Sequence, residues 1–191
     1  MKQGEQTRNN IVKSANKLFY QQGFHKTAFS DIVKAVGLSK GNITYHFKSK
    51  KDILTAVFER RMEKTRNTLA SWDKKYPDTT ERLYCFIDSL LEGKSDLTRY
   101  GCPNGTLASE LGKSNALTRE LSQHLFDLIR HWLCNQFLSL GYSSEQAADL
   151  AMELFTRGQG VCVLSQVYSD EKLFEHEINQ LKKLIKNQST D

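Results

Sequence analysis

The run Ser39-Lys40-Gly41-Asn42-Ile43-Thr44-Tyr45-His46-Phe47-Lys48-Ser49-Lys50 gathers residue types that suit contact with a polyanion. A helix that reads DNA needs small or polar side chains on its outer face and an N-terminus free to meet phosphate. Ser39 can cap such a helix over 40–47, and Gly41 lets a partner's backbone come close. Lys40, Asn42, Thr44 and Tyr45 then face outward, while Ile43 and Phe47 face inward. Asparagine can pair bidentately with adenine, and a threonine methyl can touch a thymine methyl. A capped surface helix with incidental lysines would use the same residues, so the run alone leaves both readings open.

A second candidate is Gly101-Cys102-Pro103-Asn104-Gly105, leading into Thr106–Leu111. A cysteine just ahead of a helix N-terminus feels the helix dipole, which favours thiolate, and Arg99 is near in sequence. Cys102 is thus either a thiol switch or a small residue packing a tight turn. Cys85, Cys134 and Cys162 fall in helical stretches, where buried inert thiols are expected. No Cys-x-x-Cys or Cys/His spacing suits zinc, so neither a metal nor a cofactor is expected. His124 and His131 lie seven apart on one helix, near Phe126, Trp132 and Cys134. That group suits either a ligand pocket or a core stripe. A thiol enzyme would need Cys102 activated by one of these histidines, and no recognised enzymatic spacing supports it.

The elements that must position these groups read as helices throughout. Ile11, Ala15, Leu18 and Phe19 form one amphipathic stripe, stopped at Gly23. Thr27 is expected to cap a second helix, with Asp31 in its first turn and Phe29, Ile32, Val33 and Val36 along one face. Gly37-Leu38-Ser39 joins this to the 40–47 helix, a helix-turn-helix over 28–47. Ser49 and Asp52 resemble a capping box for a longer helix running towards Trp72. Lys74-Lys75-Tyr76-Pro77-Asp78 is the clearest break. Helices are expected beyond it near Thr79 to Glu92, Asn115 to Leu140, Ser143 to Ser169 and Glu171 to Asn187. Arg99 to Gly112 should be a loop with a short helix at Thr106–Leu111. The stripes of the last two helices include Leu154, Gly158, Val161, Phe174, Ile178 and Leu181. They are wider than one intramolecular neighbour requires, which predicts a four-helix bundle between two protomers.

At 191 residues the chain can bury a core without staples. Nine Lys and Arg against Glu5 and Asp31 give residues 1–50 a charge of +7, leaving −2 for the other 141. An N-terminal unit that meets a polyanion and a second unit with another task would explain this asymmetry. The longest apolar stretch is far too short for a membrane span, and the polar start lacks a signal peptide's apolar centre. A cytoplasmic chain with reduced cysteines and no membrane partner is expected.

The residues from Ala15 to Lys50 resemble the TetR family of bacterial transcriptional regulators. Gly23-Phe24 followed by Thr27, then Gly37, Ser39 and Gly41, then His46-Phe47 with Ser49-Lys50 carry the resemblance. It covers roughly the first third of the chain at motif level. The resemblance implies an all-α protein: a three-helix DNA-binding domain at 4–64, followed by a helical effector-binding and dimerisation domain at 65–191. It implies phosphate contacts by Thr27 and Lys50, and backbone or base contacts by Tyr45 and His46. Ser39, Lys40, Gly41, Asn42 and Thr44 would belong to the recognition helix. Many members place tyrosine where Thr44 stands, whereas here the aromatic is Tyr45. The segment around Cys102 resembles one near the effector region of a branch of the family. Cys102, Phe126, His131 and Trp132 are therefore the expected pocket residues.

The function expected from these readings is a homodimeric repressor, not an enzyme, which binds a palindromic operator in double-stranded DNA. A small-molecule effector would release it. A redox- or electrophile-sensing repressor using Cys102, a non-specific nucleic-acid binder and a helical thiol enzyme are the alternatives.

Overall fold

The first apolar stripe becomes helix α1, Gln3–Gln22, which buries Ile11, Val12, Ala15 and Phe19. The protein's computed structural model describes residues 3–112 and 116–188. Ten helices, and no strand, form among them. Gly23 ends α1 with φ 86°, a left-handed conformation that disfavours a side chain. α2 (Phe29–Val36) and α3 (Lys40–His46) follow. They are joined through Gly37, whose φ of 72° makes the left-handed stop of α2. α4, Lys50–Lys75, starts with a complete capping box. The Ser49 amide donates to Asp52 Oδ2 at 2.8 Å, and the Asp52 amide donates to Ser49 Oγ at 3.2 Å.

Thr27 does not cap α2. It is fully buried, its hydroxyl donating to Gly23 O at 2.7 Å and accepting from Gln22 Nε2 at 3.2 Å. Ala28 occupies the cap position, and Asp31 steadies the turn by accepting the Ala28 amide at 2.8 Å. The hydroxyl expected at the helix start instead seals the turn out of α1.

α5 is Thr79–Glu92, capped by Asp78, which accepts the Glu81 amide at 2.9 Å. Arg82 closes the corner after α4, donating to Tyr76 O at 2.7 Å and Pro77 O at 3.0 Å. The glycine-punctuated stretch is more helical than its sequence suggests. α6 is Lys94–Tyr100 and α7 is Pro103–Leu111, so α7 starts three residues before the expected position. Proline suits a first helical position, where its missing N–H has no helical partner to lose. α8 spans Ala116–Ser139, and the expected start at Asn115 lies outside the described residues. α9, Ser144–Tyr168, has a capping box between Ser143 and Gln146. α10 is Glu171–Gln188.

The chain divides into two compact units. One comprises residues up to Lys64 together with Thr106–Leu125, and the other Thr65–Gly105 together with the residues from Phe126 onward. The expected second domain of 65–191 therefore yields 106–125 to the first unit. Leu107 and Leu111 of α7 and Leu125 of α8 explain why, since they join Phe19, Ile43 and Phe58 in one buried cluster. Such fully buried apolar side chains stabilise a fold by about 1.5–3 kcal/mol each. In the second unit, α10 packs on α5 and α9, and α6 packs on α9. Its core includes Ile87, Phe137, Leu154, Phe174, Ile178 and Leu181.

Candidate nucleic-acid interface

Two buried apolar side chains fix the orientation of α3. Ile43 and Phe47 point into the first unit's core, leaving Ser39, Lys40, Gly41, Asn42 and Tyr45 exposed. Ser39 caps the helix by accepting the Asn42 amide at 3.2 Å. A Cβ on Gly41 would meet nothing nearer than Ser39 Oγ at 3.8 Å. Among the described residues no packing therefore demands glycine there, and the outer side of the helix is open to close approach. Half-buried Thr44 turns its hydroxyl back onto the carbonyls of Lys40 and Gly41, at 3.1 and 3.0 Å. Tyr45 is 79% exposed, with its ring edge-on to His46 at 5.1 Å. Of Thr44 and Tyr45, the tyrosine is thus the one held outward.

His46 is half-buried, and its ring lies 3.9 Å from where a Cβ on Gly4 would stand. It packs towards the start of α1. Arg8 of α1 lies over the Phe47 ring at 5.0 Å and pairs with Glu59 at 3.8 Å, bringing a cation beside the end of α3. Lys13, Lys17, Lys26, Lys34 and Lys48 are exposed on the same unit.

Two residues expected to contact phosphate are engaged inside the chain. Thr27 is buried and its hydroxyl is already partnered. Lys50 Nζ donates to the carbonyls of Phe24 and Thr27 at 2.8 and 2.7 Å, and sits 4.1 Å from the centre of the Phe24 ring. Burial lowers its pKa from the ordinary lysine value, against the opposing pull of Glu110 and Asp31. Lys50 therefore ties α4 to the turn between α1 and α2.

Glu110 holds the same turn from α7. Its carboxylate accepts the amides of Phe24 at 3.0 Å and His25 at 2.7 Å. These partners stand 86 and 85 residues apart in sequence, and no local motif announces them.

In the second unit the expected pocket residues part company. Phe126 and Phe155 are half-buried and edge-to-face at 5.3 Å. Trp132 is buried between Trp72 and Phe86, and its indole N–H donates to both carboxylate oxygens of Asp73 at 3.0 and 3.1 Å. Cys102 is half-buried and its sulfur accepts the Gly105 amide at 3.4 Å. His131 is exposed and removed from the pocket set, because one helical step turns it away from the core face that Trp132 occupies.

The expected dimer-interface residues are interior ones. Leu154, Gly158, Val161, Phe174, Ile178 and Leu181 are all buried within the chain's own second unit. The exposed apolar face of α9 carries Met152, Val163, Leu164, Val167 and Tyr168 instead. The wide stripes belong to helices with apolar residues on both sides, and the more regular side is the core.

Among the described residues no group of three His, Cys, Asp or Glu is placed to hold a metal, and no helix is long and apolar enough to cross a membrane. His124 and His131 are both exposed.

Residues 11–57 match the family described as bacterial regulatory proteins, tetR family. Residues 80–180, more than half the chain, match the C-terminal domain of the transcriptional regulator LmrA/YxaF-like family. An uncharacterised HTH-type transcriptional regulator in the lacX 3' region of Lactococcus lactis subsp. lactis is 25% identical over 181 residues, 92% of this chain and 91% of that protein. The HTH-type transcriptional regulator LmrA of Bacillus subtilis (strain 168) is 31% identical over 119 residues, 60% of this chain and 62% of that protein. The crystal structure of a TetR transcriptional regulator from Chloroflexus aurantiacus J-10-FL superposes with a TM-score of 0.81 at 26% identity, over 97% of each chain. These relatives are regulators of transcription, and the thiol-enzyme reading falls with them. An outward-facing α3 on a helix-turn-helix and an LmrA/YxaF-like C-terminal domain lead to one identity: the chain belongs to the TetR family of bacterial transcriptional regulators, not to an enzyme family.

Proposed function

We infer that the protein is a homodimeric repressor, that two copies of α3 read the halves of a palindromic operator, and that a small-molecule effector in the second unit releases the DNA. The observation that carries the reading is the outer face of α3. Lys40, Gly41, Asn42 and Tyr45 are exposed together, and among the described residues only Ser39 Oγ, at 3.8 Å, comes near a Cβ placed on Gly41. Asparagine and lysine supply direct readout of base edges, and the surrounding lysines supply attraction to phosphate.

Dimerisation through α9 is supported by its exposed apolar residues, of which Val167 and Tyr168 are 71% and 68% exposed. Large apolar side chains grouped on one helix face favour a protein partner, and a second copy gives the twofold axis that a palindrome requires. Half-buried Phe126 and Phe155, edge-to-face in the second unit, favour an apolar effector with a flat ring.

Footprinting on the DNA upstream of the protein's own gene tests the reading. Protection of a palindrome with half-site centres about 34–36 Å apart, or further by whole turns, is the expected result. Equal affinity for that DNA and for random duplex would replace it with a non-specific binder.

A further inference from the structure

The seam between α6, the start of α7, and α9 contains two cysteines brought together from distant parts of the sequence. Its direction follows from two contacts. A Cβ on Gly105 would lie 2.9 Å from Gln159 Oε1, and Lys94 Nζ pairs with Glu175 at 2.9 Å. Glu175 lies in the first turns of α10, just past the end of α9 at Tyr168, so moving back from 105 to 94 moves the partner from 159 towards the C-terminal end of α9, and the segment runs antiparallel to α9. That direction turns Cys102 towards the part of α9 that carries Cys162, one helical turn on from Gln159. The same point beside Gly105 is 3.4 Å from Cys102 Cβ and 3.7 Å from its sulfur, so Cys102 and Gln159 flank one spot. The two thiols also sense each other electrostatically. Burial first, and Cys102 second, push the Cys162 thiol up to about 12, against a small opposing pull from a backbone hydrogen bond.

The two sulfurs are unequal. Cys102 is half-buried, stands immediately before the nine-residue helix α7, and accepts the Gly105 amide. Of the two sulfurs it is the one an oxidant can reach. Cys162 is buried and protonated. Next along the seam, Thr98 and Ser165 are buried hydroxyls with no hydrogen-bond partner. A small closing movement there breaks no side-chain hydrogen bond of theirs.

We propose that Cys102 and Cys162 are a reactive pair that forms an intramolecular disulfide on exposure to hydroperoxides, with Cys102 attacked first. The Cys102 sulfur attacks the outer oxygen of the hydroperoxide and gives up its thiol proton. The O–O bond breaks, and the departing alkoxide takes a proton to become an alcohol, or water when the oxidant is hydrogen peroxide. Cys102 is left as a sulfenic acid. The Cys162 sulfur then attacks the Cys102 sulfur, the S–O bond breaks, and the hydroxide leaves as water with the Cys162 proton. Two thiols lose two electrons, and one hydroperoxide gains them. The consequence for DNA rests on the regulator reading above. α7 begins beside Cys102 and carries Glu110, the acceptor of the Phe24 and His25 amides, eight residues further on. Tethering the start of α7 disturbs that hold.

Hydrogen peroxide and tert-butyl hydroperoxide, applied to the full chain, test the pair. Trypsin without reductant should release Tyr100–Lys113 joined to Gly158–Lys172, the peptides that contain these two cysteines. Dithiothreitol should separate them. Affinity for the footprinted DNA should fall at least tenfold on oxidation and return on reduction. Cys162→Ala should yield no joined peptide and lose the reversible fall. Cys102→Ser should do the same, and serves if the first variant fails to fold. No joined peptide, or one that uses Cys85 or Cys134 instead, overturns the pair. A joined peptide with unchanged DNA affinity overturns its regulatory role. A reduced parent protein that protects no DNA overturns the regulator reading, while the peptide measurement still decides the pair.

Discussion

Tyr45 and Asn42 are exposed on a helix whose other face is locked by Ile43 and Phe47, so their side chains are free to serve a partner without weakening the fold. Asn42→Ala and Tyr45→Ala should each weaken operator binding by about 1–3 kcal/mol and change affinity for random DNA little. Fluorescence anisotropy with both duplexes measures the difference, and an equal loss on both would remove direct readout. Lys50 belongs to another class despite lying four residues past α3. Its ammonium donates to two carbonyls of the turn before α2. Lys50→Ala should lower unfolding stability by about 1.5–3 kcal/mol, the range for hydrogen bonds to charged groups. The salt slope of operator binding should stay unchanged, whereas loss of a phosphate contact would flatten it by about one. Urea denaturation and a salt titration separate the two roles.

At the scale of elements, the position of the helix-turn-helix depends on α7 as well as on its own sequence. Glu110 satisfies two backbone amides at the turn that sets where α2 begins. Glu110→Ala removes both acceptors, while Glu110→Gln keeps one side-chain oxygen. The expected order of operator affinity is parent, then glutamine, then alanine, with helix content unchanged by circular dichroism. Hydrogen exchange at the Phe24 and His25 amides should quicken about tenfold in Glu110→Ala, for about 1.4 kcal/mol of lost protection. Unchanged exchange in both variants would show that water replaces the carboxylate without loss.

For the whole molecule, assembly rests on which face of α9 is free. Val167→Glu together with Tyr168→Glu should give monomers in sedimentation velocity that keep their helix content and lose palindrome protection. Leu154→Ala should behave oppositely, leaving association intact but lowering stability by about 2–5 kcal/mol as a core truncation. A dimeric Val167→Glu, Tyr168→Glu double variant would move the interface elsewhere. The contrast matters because both residue sets lie on one helix. Only the buried set is tied to Phe174 and Ile178 of α10 in the core of the second unit.

The N-terminal motifs were legible in the sequence because their physics is local. Gly37 stops a helix by its own backbone freedom, Ser39 caps within three residues, and Ile43 and Phe47 share a face by helical spacing alone. Those same local rules favoured Thr27 as a cap and left α6 unannounced, since short-range spacing is silent about which hydroxyl the tertiary fold will bury. Tertiary structure alone decided the interactions that span long loops: Glu110 on the Phe24 and His25 amides, and Lys50 turned inward. It also decided which apolar stripe of α9 is core and which is free. Periodicity gives a helix its faces, but only the packing of α6 and α10 on α9 determines which face water keeps.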